Sequence, residues 1–195
     1  MSHRHHLRPR IRLHPFAAAG LFLLFFAAPR AYAFSVLSCV ILHELGHLAA
    51  ATLFGRTARS ICLMPTGMRI ELPPPRTYAE ELIVAMAGPL MNLLWMLLFR
   101  ALPSAVSLKT AELSLALAIL NLLPITGFDG GHIVHALTAL LISDGAAQRF
   151  LQLTTSLCLS VMWMLSLYVF FYSGVNMMLL IFCAYLFSFL IVKKL

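Results

Sequence analysis

Acidic side chains are nearly missing from this sequence, with seven Asp and Glu among 195 residues. Charged residues of both signs reach only 11% while hydrophobic residues make up 61%. An ordinary soluble domain carries about a quarter charged residues, so that class is excluded. Cysteine is also sparse, and Cys39, Cys62, Cys158 and Cys183 form no CxxC pair. That excludes a disulfide framework or a zinc ribbon. Three of the four lie in apolar runs, where a thiol reads as a small buried hydrophobe. Internal repeats and low-complexity segments are absent as well.

What remains is a set of long apolar stretches, with a mean hydropathy of +0.91. Each approaches the ~20 residues a helix needs to cross a bilayer. The expected fold is an all-α polytopic membrane protein, a single domain over 1–195. It would have six transmembrane helices, a broken fourth helix and a short membrane-associated β-hairpin. The spans are expected at about 16–28, 34–54, 78–99, from 111 into the break, 151–171 and 175–192. Residues 1–15 form a basic arm, and Ala31-Tyr32-Ala33 has the small-x-small form of a signal-peptidase site. Pro29 and Arg30 read equally well as a turn between two spans.

Gly55 ends the second span. The stretch "SICLMPTGMRIEL" then reads as two extended runs around a turn at Met64 to Gly67, a hairpin or re-entrant loop within 56–76. In the fourth segment Pro124, Gly127, Gly130 and Gly131 interrupt the helix, and a shorter one from His132 to Leu141 is expected to follow. Such a break is tolerated at membrane depth only where it is buried in protein or lines a cavity. The fifth and sixth spans carry no acidic residue and no histidine.

The +7 formal charge does not indicate a nucleic-acid partner, because its placement follows the bilayer. With the N-terminus inside and six alternating spans, the inner side holds Arg4, Arg8, Arg10, Arg12, Arg56, Arg59, Arg69, Arg76, Arg149, Lys193 and Lys194. Only Arg30, Arg100 and Lys109 fall outside. This bias places both termini and the 56–76 loop in the cytoplasm.

Against this apolar background "VILHELGHLAA" stands out. His43-Glu44-Leu45-Gly46-His47 is an HExxH motif. Residues four apart on a helix share a face, with Cβ atoms ~5–6 Å apart. Two imidazoles so placed can hold one Zn²⁺, with Glu44 as general base toward a water activated by the metal. An ionisable group inside a span costs at least ~2.5–3.5 kcal/mol and is by default functional. The alternative is a polar network that packs helices together.

A catalytic zinc needs a third protein ligand and an open position. Of the seven acidic residues, Asp129 alone sits in the middle of the helix break, which makes it the candidate. Its alternative role is to cap the helix that restarts there, and His132 and His135 are competing ligands. The reaction so implied is hydrolysis of a peptide bond, with Glu44 returning its proton to the leaving amine. A substrate helix must unwind first, and the Ser60–Leu72 segment would receive it as an added strand; the alternative is an interfacial loop anchored by Arg56, Arg59 and Arg76.

Three motifs in order, "HELGH", "AGPLMN" and "NLLPITGFDGG", resemble the site-2 protease family of intramembrane zinc metalloproteases, in particular its sporulation branch. The likeness runs through roughly the first 140 residues. The resemblance implies one zinc ion held by His43, His47 and Asp129, with Glu44 as the catalytic glutamate. It further implies that Asn121 and Pro124 help place substrate, and that Asn92 gives polar support near the site. The implied partner is a membrane-tethered pro-sigma factor, cleaved in the bacterial cell membrane around the forespore. Inhibitory membrane proteins would hold the enzyme in check. Neither a CBS nor a PDZ domain is expected. Alternative substrates are an anti-sigma factor or a remnant signal peptide. A non-catalytic metal-binding membrane protein is the reading from a different class.

Overall fold

The computed structural model describes residues 10–13, 26, 29–58, 60–64, 67–173 and 183–184. The expected first and sixth spans lie almost entirely outside them. Among the described residues three helices are long and apolar enough to cross a membrane: Arg30–Leu53, Tyr78–Arg100 and Asp144–Tyr172. The chain divides into two compact units, one through Leu122 and one from Leu123.

The first unit holds strands β1 (Arg10–Leu13), β2 (Ser60–Met64) and β3 (Gly67–Glu71) and helices α1 (Arg30–Leu53), α2 (Tyr78–Arg100) and α3 (Ala105–Asn121). Helix α1 ends in a glycine-dependent reversal. Gly55 takes a φ of 70°, its N–H bonds the Thr52 carbonyl, and the Arg56 N–H bonds the Ala51 carbonyl at 3.0 Å. This pair of bonds is a Schellman closure, in which the left-handed position favours glycine.

Beyond it the sheet order is β1-β2-β3, with β2 antiparallel to β3 and parallel to β1. The basic arm therefore contributes a strand that its charge pattern did not announce. Because β1 and β3 occupy the two sides of β2, the edges of the described sheet are β1 and β3. Ser60 donates to the Glu71 carboxylate at 2.5 Å across the register pair that joins them.

The return to α2 is anchored by a buried ion pair. Arg56 Nε lies 3.2 Å from Glu80 Oε1, with side chains only 8% and 5% exposed, and the Arg56 guanidinium also donates to the Pro73 carbonyl. The second carboxylate oxygen of Glu80 accepts from the Arg76 N–H at 3.2 Å, and Thr77 caps α2 by accepting from the Glu80 N–H. Glu80 thus ties the end of α1, the strand return and the start of α2 to one point.

Helices α1 and α2 pack closely enough that a Cβ on Gly46 would stand 2.6 Å from the Ala87 carbonyl oxygen. Ala50, Ala51 and Val84 form a small core beside this crossing. Helix α3 starts at Ala105, earlier than its apolar residues announce. Its first turns carry Ser107 and Thr110, which face inward. The Thr110 hydroxyl donates to the Val106 carbonyl at 2.8 Å and lies 2.7 Å from the Ser35 hydroxyl of α1.

The second unit contains α4 (Asp129–Leu141) and α5 (Asp144–Ser173). Helix α4 begins three residues before the expected His132, because the Phe128 carbonyl already accepts from the Gly131 and His132 N–H groups. Gly127, with φ of 97°, makes the preceding turn. Helix α5 begins at Asp144, not Leu151. Its first two turns are polar and invisible to an apolar-run criterion, yet Ser143 accepts from the Ala146 N–H at 3.3 Å and Gln148 donates to Asp144 at 3.2 Å.

Replacing Glu80 by Ala leaves the Arg56 guanidinium buried without its counter-charge. Breaking such a pair costs about 3–5 kcal/mol. The expected outcome for Glu80→Ala is a large fall in thermal midpoint in detergent, measured against an exposed-site control such as Glu112→Ala, which stays near wild type.

Candidate metal centre

The two histidines of the motif lie one turn apart on α1. His43 is 6% exposed and His47 half-buried. Their Nε2 atoms are 3.2 Å apart and their rings meet edge to face at 4.7 Å between centroids. Two nitrogen ligands at ~2.0–2.1 Å from a tetrahedral zinc are separated by roughly 3.3–3.4 Å. The spacing found matches that edge.

Helix α2 sets both rings through a stripe of positions four residues apart: Val84, Gly88 and Asn92. The His47 Nδ1–H donates to the Val84 carbonyl at 2.7 Å, which turns Nε2 toward His43. The Asn92 side-chain amide sits 3.1 Å from His43 Nδ1, and Asn92 is fully buried. An imidazole that binds a metal through Nε2 keeps its proton on Nδ1 and needs an acceptor there. The Asn92 Oδ1, buried and without a hydrogen-bond partner among the described residues, supplies one after a half-turn of the amide. Ser114 of α3 holds this part of α2 by donating to the Asn92 carbonyl at 2.8 Å.

Gly88 provides the room. A Cβ there would meet His47 Nε2 and stand 2.8 Å from His43 Cε1. The sequence displayed Gly88 inside "AGPLMN", but only the packing shows that the imidazoles occupy the space its side chain would take. The Val84 carbonyl and Ser114 carry no sequence signal at all. Glu44, half-buried, follows His43 by one position and so points about 100° around α1 from it.

Asn121 is the last residue of α3, and its amide donates to the Leu117 carbonyl of the same helix at 3.0 Å. In the second unit, Pro124 lies half-buried in the break and Asp129, also half-buried, is the first residue of α4. Phe128 occupies the N-cap, and Asp129 stands in the first turn of α4. His135 Nε2 lies 3.5 Å from Asp144 Oδ1, which turns that ring toward the start of α5, and His132 is exposed.

The imidazole pair predicts a selective lesion. Ala has a higher helix propensity than Gly by about 0.8–1 kcal/mol, so Gly88→Ala should leave α2 intact while its methyl displaces both rings. The expected result is loss of bound zinc, read by elemental analysis of purified protein, with far-ultraviolet helicity retained.

Comparison with known proteins bears on the family of the chain. The model of peptidase family M50 matches residues 31–107 and 103–165. Stage IV sporulation protein FB of Bacillus subtilis (strain 168) is 35% identical over 164 residues, which cover 76% of this chain and 54% of that protein. The chain thus spans about half the length of that relative. The fold is similar to that of the site-2 protease from Methanocaldococcus jannaschii, with a TM-score of 0.66, 20% identity, and coverage of 91% of this chain and 87% of that one. Its HExxH pair sits on α1 inside the first matched segment and the break with Asp129 inside the second, and the chain belongs to peptidase family M50.

Proposed function

We propose that the protein is an intramembrane zinc endopeptidase that performs regulated intramembrane proteolysis. The observation that carries this reading is the convergence of His43 and His47 Nε2 at 3.2 Å. Each ring has Nδ1 beside a polar group of α2, so both Nε2 atoms face one point. Asp129 is proposed as the third ligand. It is the acidic residue at the end of the helix break, and a two-histidine, one-carboxylate set is a catalytic zinc donor set.

A zinc ion held by these three residues supplies a Lewis acid that polarises a carbonyl and makes water more acidic. The chain's own residues do the rest. A Glu44 carboxylate oxygen takes a proton from the attacking water and later delivers it to the leaving amine nitrogen. Asn92 and the Val84 carbonyl keep the two imidazoles turned inward. Asn121 and Pro124 are proposed to place the substrate backbone near the cleavage point. The substrate peptide, unwound from helix, adds as a strand to the edge of β3, whose outer side is unpaired among the described residues.

The proposed topology has six spans, a broken fourth helix and both termini in the cytoplasm, in the bacterial cell membrane. It is supported by the basic residues at the α1–β2 and β3–α2 ends, Arg56 and Arg76, against Arg30 and Arg100 at the opposite ends of the same helices. The proposed substrate is a membrane-tethered pro-sigma factor acting in sporulation, consistent with the 35% identity to a sporulation protein. An anti-sigma factor or a remnant signal peptide would present the same chemistry.

The test is Glu44→Gln, assayed by cleavage of a co-expressed membrane-tethered pro-sigma factor and by zinc content. Loss of a general base lowers the rate by about 10²–10⁴-fold. The expected result is lost cleavage with zinc retained, and unchanged cleavage sinks the protease reading. A non-catalytic metal carrier would show no cleavage in either form.

A further inference from the structure

Helix α5 looks chemically inert in the sequence, since it has no histidine and its only acidic residue, Asp144, stands at its start. One of its side chains does something specific. Thr155, 8% exposed, accepts the backbone N–H of Thr126 at 3.0 Å, and its Oγ1 lies 3.1 Å from the Thr126 hydroxyl. Hydroxyls on apolar helices ordinarily bond a carbonyl one turn back. Thr138, Thr154 and Ser160 do so here, to Val134, Leu151 and Ser156. The Thr155 hydroxyl reaches across to the break.

That reach meets a definite need. The backbone from Leu123 to Phe128 is not helical, and an unmet N–H at membrane depth costs several kcal/mol. The same segment is fixed on two further sides. Ile125, 1% exposed, packs against Leu159, one turn beyond Thr155, with Cys158 and Met162 beside it. The Phe128 N–H bonds the Ile125 carbonyl at 3.0 Å, and Gly131 of α4 lies against that same carbonyl. Asp129 follows Thr126 by three residues, so whatever holds Thr126 also sets where the Asp129 backbone starts.

We propose that Thr155 is a positioning residue of the metal centre: its hydroxyl clamps the Thr126 backbone and thereby fixes the place of Asp129. The inference rests on the reading of Asp129 as a zinc ligand. Thr155 itself touches neither metal nor substrate. Its role is to stop the break from sampling other backbone conformations, which would move the carboxylate.

The experiment uses the full chain in detergent micelles, with Thr155→Val, which keeps the shape and removes the hydroxyl, and Thr155→Ser, which keeps the hydroxyl. Hydrogen exchange by mass spectrometry is read over residues 122–131 and, as control, over α1. Zinc affinity is read by chelator competition. Thr155→Val should speed exchange in 122–131 at least tenfold, leave α1 unchanged, and weaken zinc binding by about 10-fold or more, the usual scale for residues that orient ligands. Thr155→Ser should restore both. Unchanged exchange in Thr155→Val overturns the clamp, as does a loss spread over the whole chain that serine fails to rescue. Faster exchange with unaltered zinc affinity overturns the link to the metal centre. Asp129→Ala is measured in parallel. If it binds zinc as tightly as wild type, the ligand assignment fails, while the exchange data still decide whether Thr155 clamps the loop.

Discussion

The first unit depends on how closely α1 and α2 approach each other. Gly46 removes a side chain where the Ala87 carbonyl passes, and Gly88 removes one where the two imidazoles lie. Small residues at a helix crossing are the usual means of close packing in a membrane, where lipid offers no hydrophobic drive for association. Here the closeness has a chemical consequence. Only at that separation do the Val84 carbonyl and the Asn92 amide reach the Nδ1 atoms of His47 and His43. A wider crossing would leave the two rings free to turn, and their Nε2 atoms would no longer converge.

The same accounting governs the polar groups at depth. Ser35, Cys39, Thr110 and Ser114 all lie buried between helices, and each reaches a hydroxyl or carbonyl across a helix boundary. In the second unit Thr126 and Thr155 repeat the device for a stretch of non-helical backbone. Polar side chains in these spans serve two purposes. Some hold the helices together, and others hold two histidines so that their Nε2 atoms converge.

Much of this was readable from residue types and spacing. The HExxH pair requires a helix, four-residue spacing puts both imidazoles on one side, and the scarcity of acidic residues directed attention to Asp129. Pro124, Gly127 and the Gly130-Gly131 pair announced an interruption for steric and entropic reasons that are local to those residues. Two of the helix starts that differ from expectation share a cause. Helices α3 and α5 begin with polar turns, and an apolar-run criterion starts them late. The strand at Arg10–Leu13 was missed because it pairs with β2, fifty residues away in sequence, and a basic arm carries no local sign of such a partner.

Sequence by itself determined the candidate set, His43, Glu44, His47 and Asp129, because ionisable residues are costly within apolar spans. Tertiary structure decided how that chemistry is aimed. Which nitrogen of each histidine faces inward is set by a carbonyl and an amide on another helix. The room for the rings is set by the absence of one Cβ, and the backbone of the break is set by a threonine hydroxyl on α5. Each of these is a contact between residues 20 to 50 positions apart. Such contacts depend on helix separation and rotation, quantities that packing alone fixes.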